Sequence, residues 1–339
     1  NSEKVPDGST VTAYGSGLRT IDPFVLKQKR VQLVIEQAEG VPLVLQPGYK
    51  TEPGTTRPAA WFDVEDGQLT IENGLFRMLA GNRNYPERFL QMAGGLVTLR
   101  QIRVEGVDST FPLIDLNPSA GHAPPQLLLD RTQLAAVRNA IRVRAAESIQ
   151  EIRRSIISSS GGAAIVWDAG AEGSQTDANY STLAAGKFVF QVLPLGGKPP
   201  IELFSDGCVY HSTAMLSLET DATSINWWGR QNAYSSMMKS FLLTAGDPGG
   251  TQDFQASWVQ GWGVGHVLNP VQGANSTLLP ELPTTVIDTL PDSFRLHKDC
   301  LAAKVGLGAP ISEVGPRRTP PQPASNAQPP PQKGPTPGF

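Results

Sequence analysis

The chain has 339 residues, a net charge of −3 and only 17% charged residues. This balance excludes a global basic field that would attract nucleic acid. Hydrophobic residues make up 40% of the chain, and glycine (34) and proline (29) are both frequent, which favours short strands joined by loops over a helical enzyme core. No run of about 18 apolar residues occurs, so the sequence predicts no transmembrane span.

The first 125 residues are rich in strand signals. Residues 31–36 and 41–46 are β-branched or aliphatic runs that flank a glycine-bearing loop. Residues 68–74 alternate polar and apolar positions and end in a turn, and residues 97–104 nearly alternate as well. Proline and glycine then crowd residues 111–125, which predicts a loop or a domain junction.

The clearest local pattern predicts a long amphipathic helix over residues 131–157. Asp130 can cap it, with Gln133 as the partner in a capping box. Glycines at 161–162 can end it, and its length would be about 40 Å at 1.5 Å per residue. An apolar stripe recurs at steps of three and four residues. Its members are Leu134, Val137, Ile141, Ala145, Ile149, Ile152 and Ile156.

Strand signals return after residue 160, at 163–167, 188–193, 201–204 and 209–219. From about residue 315 the chain is rich in proline and nearly devoid of large apolar side chains, so a disordered or polyproline-like tail is expected. No fixed-period internal repeat is visible.

Together these patterns predict a mainly β fold, either a jelly roll, a β-barrel or a sandwich, with two barrels as an alternative. The predicted divisions are a β-rich half at 1–127, the long helix at 128–160, a second β-rich half at 161–310 and a flexible tail at 311–339.

Tryptophans and polar side chains form one candidate interface. Its members are Trp227, Trp228, Arg230, Trp258 and Trp262. Exposed tryptophans beside amides would suit a subunit interface or the stacking of sugars, whereas buried ones would be core residues at sheet corners.

Four arginines would fall within about 60° of one another on the predicted helix. This basic ridge consists of Arg131, Arg138, Arg142 and Arg153. It could contact phosphates or an acidic subunit, or it could be a solvated face partly neutralised by Glu147 and Glu151.

The searches for chemistry select no catalytic residue, no metal site and no cofactor. Cys208 and Cys300 each lie three residues from a histidine, His211 and His297. This spacing leaves open a zinc site, a disulfide or two free thiols, although residues three apart on a strand face opposite sides. His211 or His266 could serve a serine triad with a nearby aspartate. Asp63, Glu65 and Asp66 form an acidic cluster that could hold a carboxylate pair for glycoside hydrolysis, although a turn rich in solvated acids is the simpler explanation.

The expectation is therefore a structural protein rather than an enzyme. The leading hypothesis is a virion coat component that assembles with copies of itself, and with other virion proteins, through apolar and aromatic surfaces. A carbohydrate-binding or adhesin-type module using exposed tryptophan is the first alternative, and a hydrolase with a dispersed site is the second. The expected location is a virion if the coat hypothesis holds, and otherwise it is extracellular or unknown.

Overall fold

The computed structural model describes residues 5–38, 41–48, 58–78, 85–106, 111–118, 121–220, 224–235, 238, 240–244, 291–296 and 301–317. Within them, 27 strands numbered in chain order form three sheets of nine strands each. Every third strand joins the same sheet, and every pairing is parallel. The chain therefore winds as a parallel β-solenoid in which each coil adds one strand to each sheet.

Each sheet forms one wall of the solenoid. Sheet A contains β1 (Ser9–Gly15), β4 (Arg30–Gln37), β7 (Gly67–Glu72), β10 (Gly95–Arg100), β13 (Gln126–Asp130), β16 (Ile149–Arg153), β19 (Gln175–Asn179), β22 (Ile201–Asp206) and β25 (Ile225–Arg230). Sheet B contains β2 (Gly17–Ile21), β5 (Leu43–Pro47), β8 (Leu75–Arg77), β11 (Arg103–Glu105), β14 (Gln133–Ala136), β17 (Ile156–Ser159), β20 (Thr182–Ala185), β23 (Val209–His211) and β26 (Ala233–Tyr234). Sheet C contains β3 (Phe24–Lys27), β6 (Ala60–Glu65), β9 (Arg88–Met92), β12 (Ile114–Leu116), β15 (Ile141–Val143), β18 (Ala163–Trp167), β21 (Phe188–Val192), β24 (Ala214–Leu218) and β27 (Ser240–Thr244).

This architecture corrects the predicted fold class. The strand-rich composition is confirmed, but a jelly roll, an up-and-down barrel or a sandwich is built mainly from antiparallel strands, and these sheets are parallel throughout. The described strands on both sides of residue 130 belong to the same three sheets. The described residues therefore lack the architecture on which the coat-protein hypothesis was based.

The prediction of a long helix at 131–157 is also wrong, because this segment forms β14 to β17. Arg131, Glu147 and Arg154 have φ angles of 52°, 54° and 49°, which a right-handed helix does not allow. The backbone amide of Arg131 donates to the carbonyl of Arg153 in the next coil, 3.0 Å away, rather than to a residue one turn back.

The helical spacing has a simple origin in short strands. Leu134, Ile141, Ala145 and Ile152 are fully buried in the solenoid interior. The steps of three and four also need Ile149, in an outer row of sheet A, and Ile156, in an outward patch of sheet B, so the spacing mixes inward and outward positions of short strands. The same apolar spacing therefore arises from a wound chain of strands and from a helix.

The corner between sheets A and B repeats in nearly every coil. From β7 onward, one residue at this corner has a φ angle between 46° and 65°, in the left-handed region. These residues are Asn73, Gln101, Arg131, Arg154, Tyr180, Gly207 and Gln231. A non-glycine residue adopts this conformation at a cost of roughly 1–2 kcal/mol. The repeated geometry turns the chain sharply from one wall to the next.

A buried polar side chain follows the left-handed residue in the last five of these corners. The backbone amide of Thr132 donates to Ser155 Oγ at 3.0 Å, and the amide of Ser155 donates to Ser181 Oγ at 3.1 Å. The amide of Ser181 donates to the Cys208 sulfur, and that of Cys208 donates to Asn232 Oδ1 at 2.9 Å. This corner ladder, from Thr132 to Asn232, satisfies one buried amide in each of four coils.

The interior consists of stacked side chains from successive coils. In sheet C one in-register row is apolar along its length: Phe62, Leu90, Ile114, Ile141, Ile165, Phe190 and Leu216. Aromatic rings concentrate at two levels, around Trp61 and Phe76 in the early coils and around Phe190 and Tyr210 in the late coils. Burial on this scale supplies the main driving force for winding the coils together.

A C-terminal strap, residues 291–296 and 301–317, returns along the outside of sheet B. Phe294, Leu307, Ala309 and Val314 cover an outward apolar patch of Ile156, Ala184, Val209 and Ala233. Glu313 pairs with Arg131 at 3.1 Å, and the amide of Gly315 donates to the Arg131 carbonyl at 2.9 Å. Residues 311–317, predicted as the start of the flexible tail, are therefore packed on the solenoid, whereas 318–339 lie outside the described residues.

The α-helix of the strap, Leu301–Lys304, has four residues. No helix in the part of the chain that the structure describes is long and apolar enough to cross a membrane. This agrees with the prediction that the chain has no transmembrane span.

The corner ladder makes a prediction about stability. Ser181→Ala leaves the buried amide of Ser155 without its acceptor, which should cost about 1–3 kcal/mol. The midpoint of denaturation in urea measures the change. Thr12→Ala, which removes an exposed hydroxyl from β1, is the control and should leave the midpoint nearly unchanged. Equal midpoints for both variants would show that the ladder contributes nothing.

Candidate functional site

The outer face of sheet A carries polar and aromatic side chains in three in-register rows. The middle row, in the late coils, is Leu128, Glu151, Asp177, Phe204 and Trp228. The row nearest the corner alternates in charge, with Glu72, Arg100, Asp130, Arg153, Asn179, Asp206 and Arg230. Neighbouring strands lie about 4.8 Å apart, so each row presents side chains at that spacing.

Two aromatic rings form the centre of this face. Phe204 and Trp228 stack with a centroid distance of 6.4 Å and an interplanar angle of 11°, and we call them the aromatic pair. Trp228 is 47% exposed, an unusual position for so large an apolar side chain. Glu202 accepts hydrogen bonds from Trp228 Nε1 at 3.0 Å and from Asn226 Nδ2 at 2.7 Å. The exposed indole is therefore held in one orientation by its neighbours.

The alternation of the two strands explains this placement. In β22, Ile201, Leu203 and Ser205 point inward, so Glu202 and Phe204 point outward. In β25, Trp227 points inward and Trp228 outward.

The two adjacent tryptophans of the predicted interface therefore have different roles. Trp227 is fully buried and packs edge to face against Phe190 and Tyr210, so it is a core residue. Trp228 and Arg230 lie on the outer face. Trp258 and Trp262 lie outside the described residues.

Tyr180 extends the aromatic surface at the adjacent corner, where it is 44% exposed. Gly207 occupies the equivalent corner position in the next coil, and a Cβ atom there would lie 2.8 Å from the Tyr180 ring. Glycine thus leaves room for the ring. Beside it, Arg230 pairs with Asp206, whose carboxylate raises the pKa of the guanidinium.

The four arginines of the predicted basic ridge occupy different sides of the solenoid. Arg131 lies at the corner between sheets A and B, and Arg138 follows β14 at the corner with sheet C. Arg142 lies on the outer face of sheet C, paired with Asp168, and Arg153 lies on the outer face of sheet A, paired with Glu151. The prediction grouped these arginines because it assumed a helix. Since the segment forms strands, the four arginines do not form a basic ridge.

Cys208 is part of the corner ladder rather than a reactive site. It is fully buried, its thiol donates to the Ala178 carbonyl at 3.3 Å, and burial raises its pKa to about 11. Cys300, His297 and His266 lie outside the described residues. Within the described ranges no group of three or more potential metal ligands occurs.

The acidic cluster at 63–66 is divided among separate contacts. Asp63 is half-buried on sheet C, where burial raises its pKa. Glu65 pairs with Lys27 at 3.0 Å. Asp66, at the next corner, contacts His122 Nδ1 at 2.5 Å. Asp63 and Glu65 both point outward from β6, and the charge of Glu65 adds to the effect of burial on the pKa of Asp63.

Sequence reasoning selected Trp228 and Arg230 but missed Tyr180, Phe204, Asp177 and Glu202. The alternation of apolar and polar residues at 201–206 was visible, and it predicts that Glu202 and Phe204 share a face. The position of Glu202 and Phe204 beside Asp177 and Trp228 depends on the register between coils, which no local sequence pattern reveals.

Comparison with known proteins adds no relative: no family model, no curated protein and no solved structure matches the chain.

His211 gives a prediction about pH. It is buried on sheet B, and burial lowers its pKa from the usual 6.5. The unfolded chain therefore binds a proton more readily, so the contribution of neutral His211 to stability is present above about pH 6.5 and is lost as the pH falls below it. His211→Gln should lose less stability than the parent chain between pH 7 and pH 5, as measured by urea denaturation. An unchanged pH dependence of stability in His211→Gln would contradict the lowered pKa of His211. His122→Gln serves as a comparison at a more exposed histidine.

Proposed function

We propose that this chain is a carbohydrate-binding β-solenoid that holds a glycan chain along the late coils of sheet A. The observation that carries the proposal is the aromatic pair, in which a half-exposed indole is kept in place by Glu202. A pyranose ring has an apolar C–H face and a rim of hydroxyl groups. Aromatic rings suit the first and fixed polar groups the second.

The polar groups around the aromatic pair have the required chemistry. Polar side chains lie on both sides of it, with the Glu202 carboxylate and the Asn226 amide in one outer row and the Asp206 carboxylate and the Arg230 guanidinium in the other. Their planar ends can accept or donate hydrogen bonds to neighbouring hydroxyl groups.

The shape of the face favours an extended ligand. Each strand contributes a side chain at the same height, so the rows form a nearly flat, linear surface. A linear polysaccharide could contact several coils at once. The strap already covers sheet B in the same coils, which leaves sheet A as a more accessible wall.

Replacement of the exposed indole tests the proposal. Trp228→Ala should reduce affinity for a bound glycan about five- to thirtyfold, because exposed aromatic anchors contribute roughly 1–2 kcal/mol. A glycan array identifies ligands, and isothermal titration calorimetry measures the change. Trp228 is on the surface, so the unfolding midpoint should move little.

Leu96→Ala is the matched control, because it removes exposed apolar surface from the same face in an earlier coil. It should leave affinity unchanged. Absence of binding to any glycan, or equal affinity of Trp228→Ala and the parent chain, would refute the proposal.

A further inference from the structure

Two carboxylates beside the aromatic pair differ from the other acids on this face. Asp177 is the in-register neighbour of Phe204, and Glu202 lies two residues before Phe204 on the same strand. Asp177 accepts a hydrogen bond from Asn179 Nδ2 at 2.7 Å, and Glu202 accepts from Asn226 and Trp228. All of these donors are neutral.

The other outward acids of these coils are paired with arginine. Asp130 pairs with Arg100 at 3.5 Å, Glu151 with Arg153, and Asp206 with Arg230. Within the described part of the chain, Asp177 and Glu202 form no ion pair. Two negative charges at the centre of the aromatic surface therefore have no ion-pair partner among the described residues.

The aromatic rings and the two carboxylates together favour a ligand that carries positive charge. The face of an aromatic ring attracts a cation, and nearby carboxylates add to that attraction. A glycan with carboxylate or sulfate groups would be repelled by the same charges. A neutral glycan would use the rings but gain nothing from the two charges.

We propose that this face selects glycans that carry protonated amino groups, with Asp177 and Glu202 binding the ammonium groups beside Phe204 and Trp228. The proposal rests on the glycan-binding function above and specifies its substrate class. It also predicts that affinity falls as the salt concentration rises, since the charges are at the surface.

Calorimetry with the full chain tests the selectivity. The probes are glucosamine oligosaccharides, their N-acetylated counterparts and cello-oligosaccharides of equal length, at a pH where the amines are protonated. We expect the glucosamine series to bind most tightly and to be the most sensitive to salt. Asp177→Asn should weaken that series about two- to fivefold, as expected for an exposed charge pair, and leave the other two unchanged.

Glu36→Gln is the matched control, because it removes one exposed negative charge from the same face on β4, five strands from β19 and about 24 Å away. It should leave all three affinities unchanged. Equal affinity for the three series, or an effect of Asp177→Asn no larger than that of Glu36→Gln, would overturn the amine preference while leaving glycan binding intact. Failure of the glucosamine series to bind would also overturn the amine preference, whereas the proposed function would be refuted only if no glycan on the array bound.

Discussion

The left-handed corner between sheets A and B sets the geometry on which the rest of the solenoid depends. In seven successive coils one residue at this corner has a φ angle in the left-handed region, and in the late coils the next side chain hydrogen-bonds to the amide of the preceding coil. Strain within a coil is thus offset by bonds between coils. Because the corner keeps the same place from coil to coil, strands on either side stay in register.

In-register stacking also creates the candidate site. Asp177, Phe204 and Trp228 are separated by more than 20 residues each, yet they are nearest neighbours in one row. Their inward neighbours, Thr176, Leu203 and Trp227, are buried and fix the strand positions. The function that we propose depends on side chains whose spacing is set by the backbone, so the site forms when the strands pair.

Much of the strand content could be predicted from the sequence, whereas its arrangement could not. The alternating runs at 68–74 and 201–204 are strands β7 and β22, because period two is a local property. The winding was hidden by variable coil length, from 38 residues between the row partners Arg30 and Gln68 to 22 between Ser9 and Val31. Without a fixed period, the short strands at 133–159 resembled a helix. Only one member of the aromatic pair was predicted from the sequence. Trp228 was selected as a candidate interface residue, whereas the position of Phe204 beside it depends on the register between strands.

Distances between spin labels test the parallel, in-register winding most directly. Gln68 and Gln175 lie in one outer row of sheet A, four strands apart, and Arg30 extends that row by one strand. Cysteines are introduced at these sites for labelling, and the native cysteines are replaced. Double electron–electron resonance should then give narrow distance distributions centred at about 19 Å for Gln68–Gln175 and about 24 Å for Arg30–Gln175. Broad distributions, or two distances that do not differ by about one strand spacing, would contradict the solenoid.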